Sequence, residues 1–214
     1  MSLITVTGIR QTSPERFVLE FSDGSELKTT LSVLTDRFIH TGTELDDEAY
    51  SALHAASTLS LCKARALRII NARPMSQQEM RKRLIEKGEV EENAEAATLW
   101  LCDMGLIDDR RYAASLVRHY AAKGFGRARI TQELRRHGIG RELWDEALCE
   151  MPEQDDRLRS FIASRLTDPD DKVQVRKISN TLFRRGYSWD EIRHAINQYT
   201  VSYTHLTLPT NAFV

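Results

Sequence analysis

Hydrophobic and polar positions alternate along the first part of the chain and then change period. "LITVTGIR" and "RFVLEFSDGSELKTTL" place apolar residues at roughly every second position, as strands with one buried face do. Within the second stretch, Asp23-Gly24 of "SDGS" supplies the positive φ that a tight hairpin needs. Residues 3–32 are therefore expected to form a small antiparallel sheet. The following "SVLTDRFIHTGTELDDEAYSAL" predicts a short helix, a turn at Thr41-Gly42 and a new helix opened by Asp46 or Asp47. A sheet of two or three strands is too small to stand by itself. It is expected to rest on the helices that follow.

From about residue 47 the period is helical, and the pattern repeats. Gly88, Gly138 and Gly186 lie 50 and 48 residues apart. Four positions before each glycine stands a leucine: Leu84, Leu134 and Leu182. Eight positions before stands another apolar residue: Met80, Ile130 and Ile178. Such i, i+4 pairs mark one buried helix face. A base precedes each glycine (Lys87, His137, Arg185), and Ala97, Ala147 and Ala195 follow at one common offset. The glycines suit the left-handed residue that closes a helix. Ser76-x-x-Glu79 and Ser188-x-x-Glu191 read as capping boxes, each opening a helix. Asp108 and Asp109 are expected to open a helix with Tyr112, Ala113, Leu116, Val117 and Tyr120 facing inward.

The fold expected is mainly α: three tandem three-helix repeats, each of about three short helices, forming an elongated curved array, preceded by a small antiparallel β segment. The divisions expected are 1–46 for the acidic β segment, 47–107, 108–151 and 152–199 for the repeats, and 200–214 for a tail. The tail follows the natural end of the third repeat near Tyr199, and "VSYTHLTLPTNAFV" has no charged residue in fourteen positions. It is read as non-native sequence and given no function.

Charge refines this picture. The net charge of −1 over 214 residues argues against a uniformly basic nucleic-acid coat. Residues 1–60, however, hold four Lys and Arg against nine Asp and Glu, whereas residues 61–151 hold seventeen against fourteen. The acidic and basic segments are expected to do different work. No apolar run approaches the length of a membrane span, and the first residues lack a signal-peptide layout. Cys62, Cys102 and Cys149 form no CxxC pair, so neither a disulfide frame nor a zinc site is indicated. A cytoplasmic protein with reduced thiols is expected.

Catalytic patterns are thin. The six histidines stand singly, and HExxH and GxSxG are absent. The glycine break "KGFGRARI" resembles an anion loop but lacks the Walker spacing and its Lys-Ser/Thr. It is read as a tight helix–helix turn made by Gly124 and Gly126, with Arg127 and Arg129 exposed beyond it. No enzyme, cofactor or metal is indicated. The bases are better placed: Arg81, Lys82, Arg83 and Lys87; then Arg127, Arg129, Arg135 and Arg136; then Arg176, Lys177, Arg184 and Arg185. A solvated helix face is the plain alternative for any one cluster. Three clusters at matching offsets suit a polyanion or an acidic groove. No helix shows an obvious set of base-reading Asn, Gln and Arg.

"SQQEMRKRLIEKG", "GLIDDRRYAASLV" and "GFGRARITQELRRHGI" occur here in the order found in the bacterial RecX regulatory proteins, which this chain resembles over roughly residues 60–199. The acidic "EKGEVEEN" of the first repeat departs from that pattern, and the N-terminal β segment looks like the variable leader of some members. The resemblance implies a non-enzymatic modulator of the recombinase RecA. Such a protein binds the RecA–single-stranded DNA filament in its helical groove and restrains strand exchange, ATP hydrolysis and the co-protease activity behind the SOS response. It implies filament or DNA binding by Arg81, Lys82, Arg127, Arg129, Arg135, Arg136, Arg176, Lys177, Arg184 and Arg185. Contact with single-stranded DNA would be weak and non-specific, and the protein a monomer. The competing class is a DNA-binding transcription factor built of helix-turn-helix-like modules, and a helical scaffold for another protein is a third.

Overall fold

The computed structural model describes residues 3–168 and 170–207, with side chains as far as Val201. The chain divides into two compact units, residues 1–108 and 109–214.

In the first unit the alternating segment forms β1 (Ile4–Ser13), β2 (Arg16–Phe21) and β3 (Glu26–Thr30). After the short helix α1 (Leu31–Asp36), a two-residue strand β4 (Glu44–Leu45) joins the far edge. The antiparallel order is β3-β2-β1-β4, with Ile4 opposite Leu45. The sheet thus has one strand more than the alternation alone predicts, because a two-residue strand is too short to show a period. The Asp23-Gly24 turn forms as expected. Gly24 takes φ +83°, and the Asp23 carboxylate accepts from the Ser25 amide at 2.9 Å.

One apolar face of this sheet, with Val6, Leu19, Phe21 and Leu27, meets Val33 and Leu34 of α1, Leu45, and Leu53 of α2 (Asp47–Ala72). Asp46 caps α2 by accepting from the Ala49 amide at 2.8 Å. At 26 residues this helix is not one of three short ones. It runs about 39 Å because it serves two cores in turn. Leu53 closes the sheet, while Cys62 and Ala66 join α3 (Gln77–Glu86) and α4 (Glu91–Asp103) around Met80, Leu84, Ala97 and Leu101.

The second unit holds two three-helix groups. The first comprises α5 (Asp109–Ala122), α6 (Arg127–Arg136), a 3-10 turn at Arg141–Leu143 and α7 (Trp144–Cys149). Its core is Ala113, Val117, Ile130, Leu134, Ile139 and Ala147, with Tyr112 and Tyr120 at its edge. The second comprises α8 (Asp155–Ala163), α9 (Lys172–Arg184) and α10 (Trp189–Thr207) around Leu158, Ile162, Ile178, Leu182, Tyr187 and Ile192. Helix α10 continues past Tyr199 into the segment read as a tail. Residues 208–214 of that segment lie outside the described residues.

The repeated punctuation is chemically the same three times. Gly88, Gly138 and Gly186 have φ of +89°, +69° and +92°. Beyond each, the next amide bonds back to the repeat leucine: Glu89 to Leu84 at 3.1 Å, Ile139 to Leu134 at 3.0 Å and Tyr187 to Leu182 at 3.3 Å. This is the Schellman closure. Both capping boxes also form, Ser76 with Glu79 and Ser188 with Glu191.

Candidate functional site

The sequence-predicted bases fall into three settings. On α3, Arg81 and Lys82 are exposed but matched by acids, Arg81 to Glu91 at 2.9 Å and Lys82 to Glu86 at 4.0 Å. Their charge is largely answered within the repeat.

On α6 the bases diverge. Arg127 pairs with Asp145 at 3.6 Å across exposed surface. Arg135 is exposed and makes no ion pair among the described residues. Arg129 and Arg136 both turn to Glu133, at 2.7 and 3.5 Å. Glu133 has a side chain only 5% exposed. It sits three residues after Ile130 and next to Leu134, on the inward stripe of the helix. A carboxylate buried there needs cations, and α6 supplies two. Its Oε2 atom and Arg129 Nε still lack a hydrogen-bond partner among the described residues. Burial first, then the Glu133 charge, pushes the Tyr120 phenol above its ordinary range. Arg129 is therefore half-buried rather than freely exposed, because it compensates Glu133. The stripe position of Glu133 was the sequence signal for it.

On α9, Arg176 and Lys177 are exposed and without an ion pair among the described residues. Arg184 is tethered through Nε to the Asn180 carbonyl at 3.3 Å. Arg185 is half-buried over the Phe161 ring, 4.7 Å from its centroid, and Arg165 lies over the same ring at 4.0 Å.

The fold brings the start of α6 and the end of α9 into direct backbone contact. The Gly126 amide donates to the Arg185 carbonyl at 2.8 Å, and the Ala128 amide to the Gly186 carbonyl at 3.1 Å. Arg157 Nη1 adds a bond to the Ala121 carbonyl at 2.6 Å. A Cβ on Gly126 would strike the Gly186 carbonyl, and one on Gly186 would strike the Arg129 backbone. Gly124, at φ +76°, makes the turn that was expected of both glycines. Gly126 has φ −81°, which any residue adopts. Its job is close approach, which the residue spacing alone does not reveal. Arg127, Arg129, Arg184 and Arg185 thus gather at one joint. Arg135 and Arg136 lie at the far end of α6, Arg176 and Lys177 toward the start of α9, and Arg81 and Lys82 in the first unit.

Among the described residues no group of three or more His, Cys, Asp or Glu could hold a metal ion, and no helix is long and apolar enough to cross a membrane.

Comparison with known proteins agrees with this architecture. The family models described as the first and second three-helix domains of RecX match residues 62–98 and 108–148. A protein of Vibrio campbellii named Regulatory protein RecX is 34% identical over 146 residues, covering 66% of this chain and 93% of its own length. One of the same name from Xanthomonas axonopodis pv. citri is 35% identical over 134 residues, covering 61% and 83%. The crystal structure of a regulatory protein RecX superposes with a TM-score of 0.72 at 26% identity, covering 91% of this chain and 99% of that one. Repeats, caps and relatives point the same way: the chain belongs to the RecX family of regulatory proteins.

Proposed function

We propose that this chain is a non-enzymatic regulator that binds the RecA–single-stranded DNA filament and restrains its recombinase, ATPase and co-protease activities, modulating DNA repair and the SOS response. The observation that carries this reading is the joint between the second and third repeats. Backbone hydrogen bonds hold α6 and α9 together, so their bases are presented as one body rather than as independent solvated faces. Farther along the same two helices, away from the joint itself, Arg135, Arg176 and Lys177 stand exposed without ion pairs among the described residues. Uncompensated cations on a fixed frame suit phosphates or filament carboxylates. The protein acts as a cytoplasmic monomer that takes no cofactor, and its hold on single-stranded DNA alone is weak and non-specific.

The test is ATP hydrolysis by RecA on single-stranded DNA, titrated with this chain. Inhibition of hydrolysis is expected. Unchanged hydrolysis, with tight binding to one duplex sequence, would instead favour a transcription factor. Binding to single-stranded DNA alone should weaken with salt, by a log–log slope of about 0.7 per phosphate engaged.

A further inference from the structure

One surface corner recurs in each repeat and is filled differently each time. It comprises the third residue before and the third residue after the repeat glycine. The first repeat places Ile85 and Glu91 there, the second Arg135 and Arg141, the third Phe183 and Trp189. In the third, the two rings stack, with centroids 4.9 Å apart and planes 19° from parallel. They nevertheless remain 49% and 47% exposed.

The turn does not need these rings. Its closure is made by the Tyr187 amide to the Leu182 carbonyl, and the side chains of Leu182, Tyr187 and Ile192 are buried together beneath it. The Ser188–Glu191 box starts α10 without help from either ring. A half-exposed aromatic pair that the turn does not use stands out on a protein surface, and two stacked rings make a flat face.

Its surroundings select the occupant. Arg184 follows Phe183 at the end of α9 and is tethered to the Asn180 carbonyl. Arg193 lies one turn along α10 from Trp189, where it pairs with Asp190 at 3.7 Å. At the other end of α6 from the joint, the matching corner of the second repeat carries Arg135 and Arg141, both exposed and without ion pairs among the described residues. Rings beside arginines complement unpaired bases beside phosphates. A duplex hides its base faces, and an apolar protein surface gains nothing from the arginines.

We propose that the Phe183–Trp189 stack is a platform for an unpaired nucleobase of single-stranded nucleic acid, with Arg184 meeting the adjoining phosphate. This rests on the single-stranded DNA contact proposed above and names where base, rather than backbone, is held. The platform tolerates any base, since every base offers a π-face.

The experiment compares a fluorescently labelled single strand with an abasic strand of equal length by anisotropy. The two carry the same charge, so the phosphate contribution cancels. The native chain is expected to prefer the base-bearing strand roughly tenfold or more. The double variant Phe183→Leu/Trp189→Leu keeps apolar bulk but removes the rings. It should bind both strands as the native chain binds the abasic one, with an unchanged circular dichroism spectrum. Phe183→Ala/Trp189→Ala should behave likewise if the Leu pair misfolds. Equal binding of the two strands by the native chain, or a preference that survives both variants, overturns the platform. Self-association of the native chain that the variants abolish without touching base preference also overturns it, in favour of a second copy on this face. RecA ATP hydrolysis is followed in parallel. Inhibition without base preference leaves the regulatory function standing and removes the platform; base preference without inhibition does the reverse.

Discussion

Gly126 and Gly124, two residues apart, do different physical work. Gly124 needs its missing side chain for a positive φ, and Gly126 for room against the Gly186 and Tyr187 backbone. Gly126→Ala should therefore cost about 1–3 kcal/mol through overpacking at the joint. It should also separate α6 from α9 and reduce RecA inhibition out of proportion to that loss. Gly124→Ala should cost about 1–2 kcal/mol and leave inhibition nearly intact. Urea unfolding beside the ATPase titration checks both, and equal effects on inhibition would remove the special role of Gly126. A second residue-scale consequence concerns Cys62, which is fully buried. Burial first, then the Glu89 charge, pushes its thiol up to about 12 from 9.0. The folded chain keeps a proton that the unfolded chain releases. This stabilisation is complete below about pH 9 and is lost as pH rises from there toward about 12. Burial gives Tyr187 and Tyr120 the same sign. Unfolding measured at about pH 8 and about pH 10.5 should show the native chain losing more stability than Cys62→Ala over that rise. An identical loss in both would refute the assignment.

At the scale of elements, much of the helical part was legible because its signals are local. An i, i+4 apolar pair followed by a glycine specifies a helix face and its end within a few residues, and Met80–Leu84–Gly88, Ile130–Leu134–Gly138 and Ile178–Leu182–Gly186 all behave as read. What escaped depends on partners distant in sequence. Helix α2 changes core halfway along, from Leu53 at the sheet to Cys62 and Ala66 at α3 and α4, so its apolar stripe is not uniform. The Phe183–Trp189 stack joins two helices across a turn, where helical periodicity carries no information. The basic clusters likewise looked alike in the sequence, although the structure separates paired from unpaired members. That separation predicts two outcomes. Arg135→Glu with Arg176→Glu and Lys177→Glu should change stability by less than about 0.5 kcal/mol, as exposed substitutions do, while abolishing filament inhibition. Arg129→Glu should instead destabilise by about 1–3 kcal/mol, since it strips the buried Glu133 of a partner. Thermal melts of the two variants should diverge, and full inhibition by the triple variant would sink the role given to those bases.

The whole molecule divides its charge where it divides its structure. Residues 1–108 carry 12 Lys and Arg against 17 Asp and Glu, whereas residues 109–214 carry 18 against 14. The boundary between the compact units falls at Asp108 and Asp109. Each side holds complete hydrophobic clusters, the sheet and first-repeat cores on one and the second- and third-repeat cores on the other. A cut after Asp108 therefore removes no backbone hydrogen bond of the α6–α9 joint. A cut after Met151 would take away the Arg185 and Gly186 carbonyls to which the Gly126 and Ala128 amides now donate, and water in their place recovers all but about 0.5–1.5 kcal/mol for each bond. Three fragments follow: 1–108, 109–214 and 1–151. The first two should each fold cooperatively. The third should retain the first-unit transition and lose stability in its second repeat. Affinity for single-stranded DNA should remain with 109–214, because Arg81 and Lys82 in 1–108 are already matched by Glu91 and Glu86. Inhibition of RecA by either half alone should fall well below that of the intact chain, since two linked contacts gain through effective concentration, commonly by about 10²-fold or more. Circular dichroism melts, strand binding and ATPase titration of the three fragments check each step. Strand binding by 1–108 equal to that of 109–214 would refute the division of labour, and a cooperative second-repeat transition in 1–151 at native stability would refute the structural weight given to the joint.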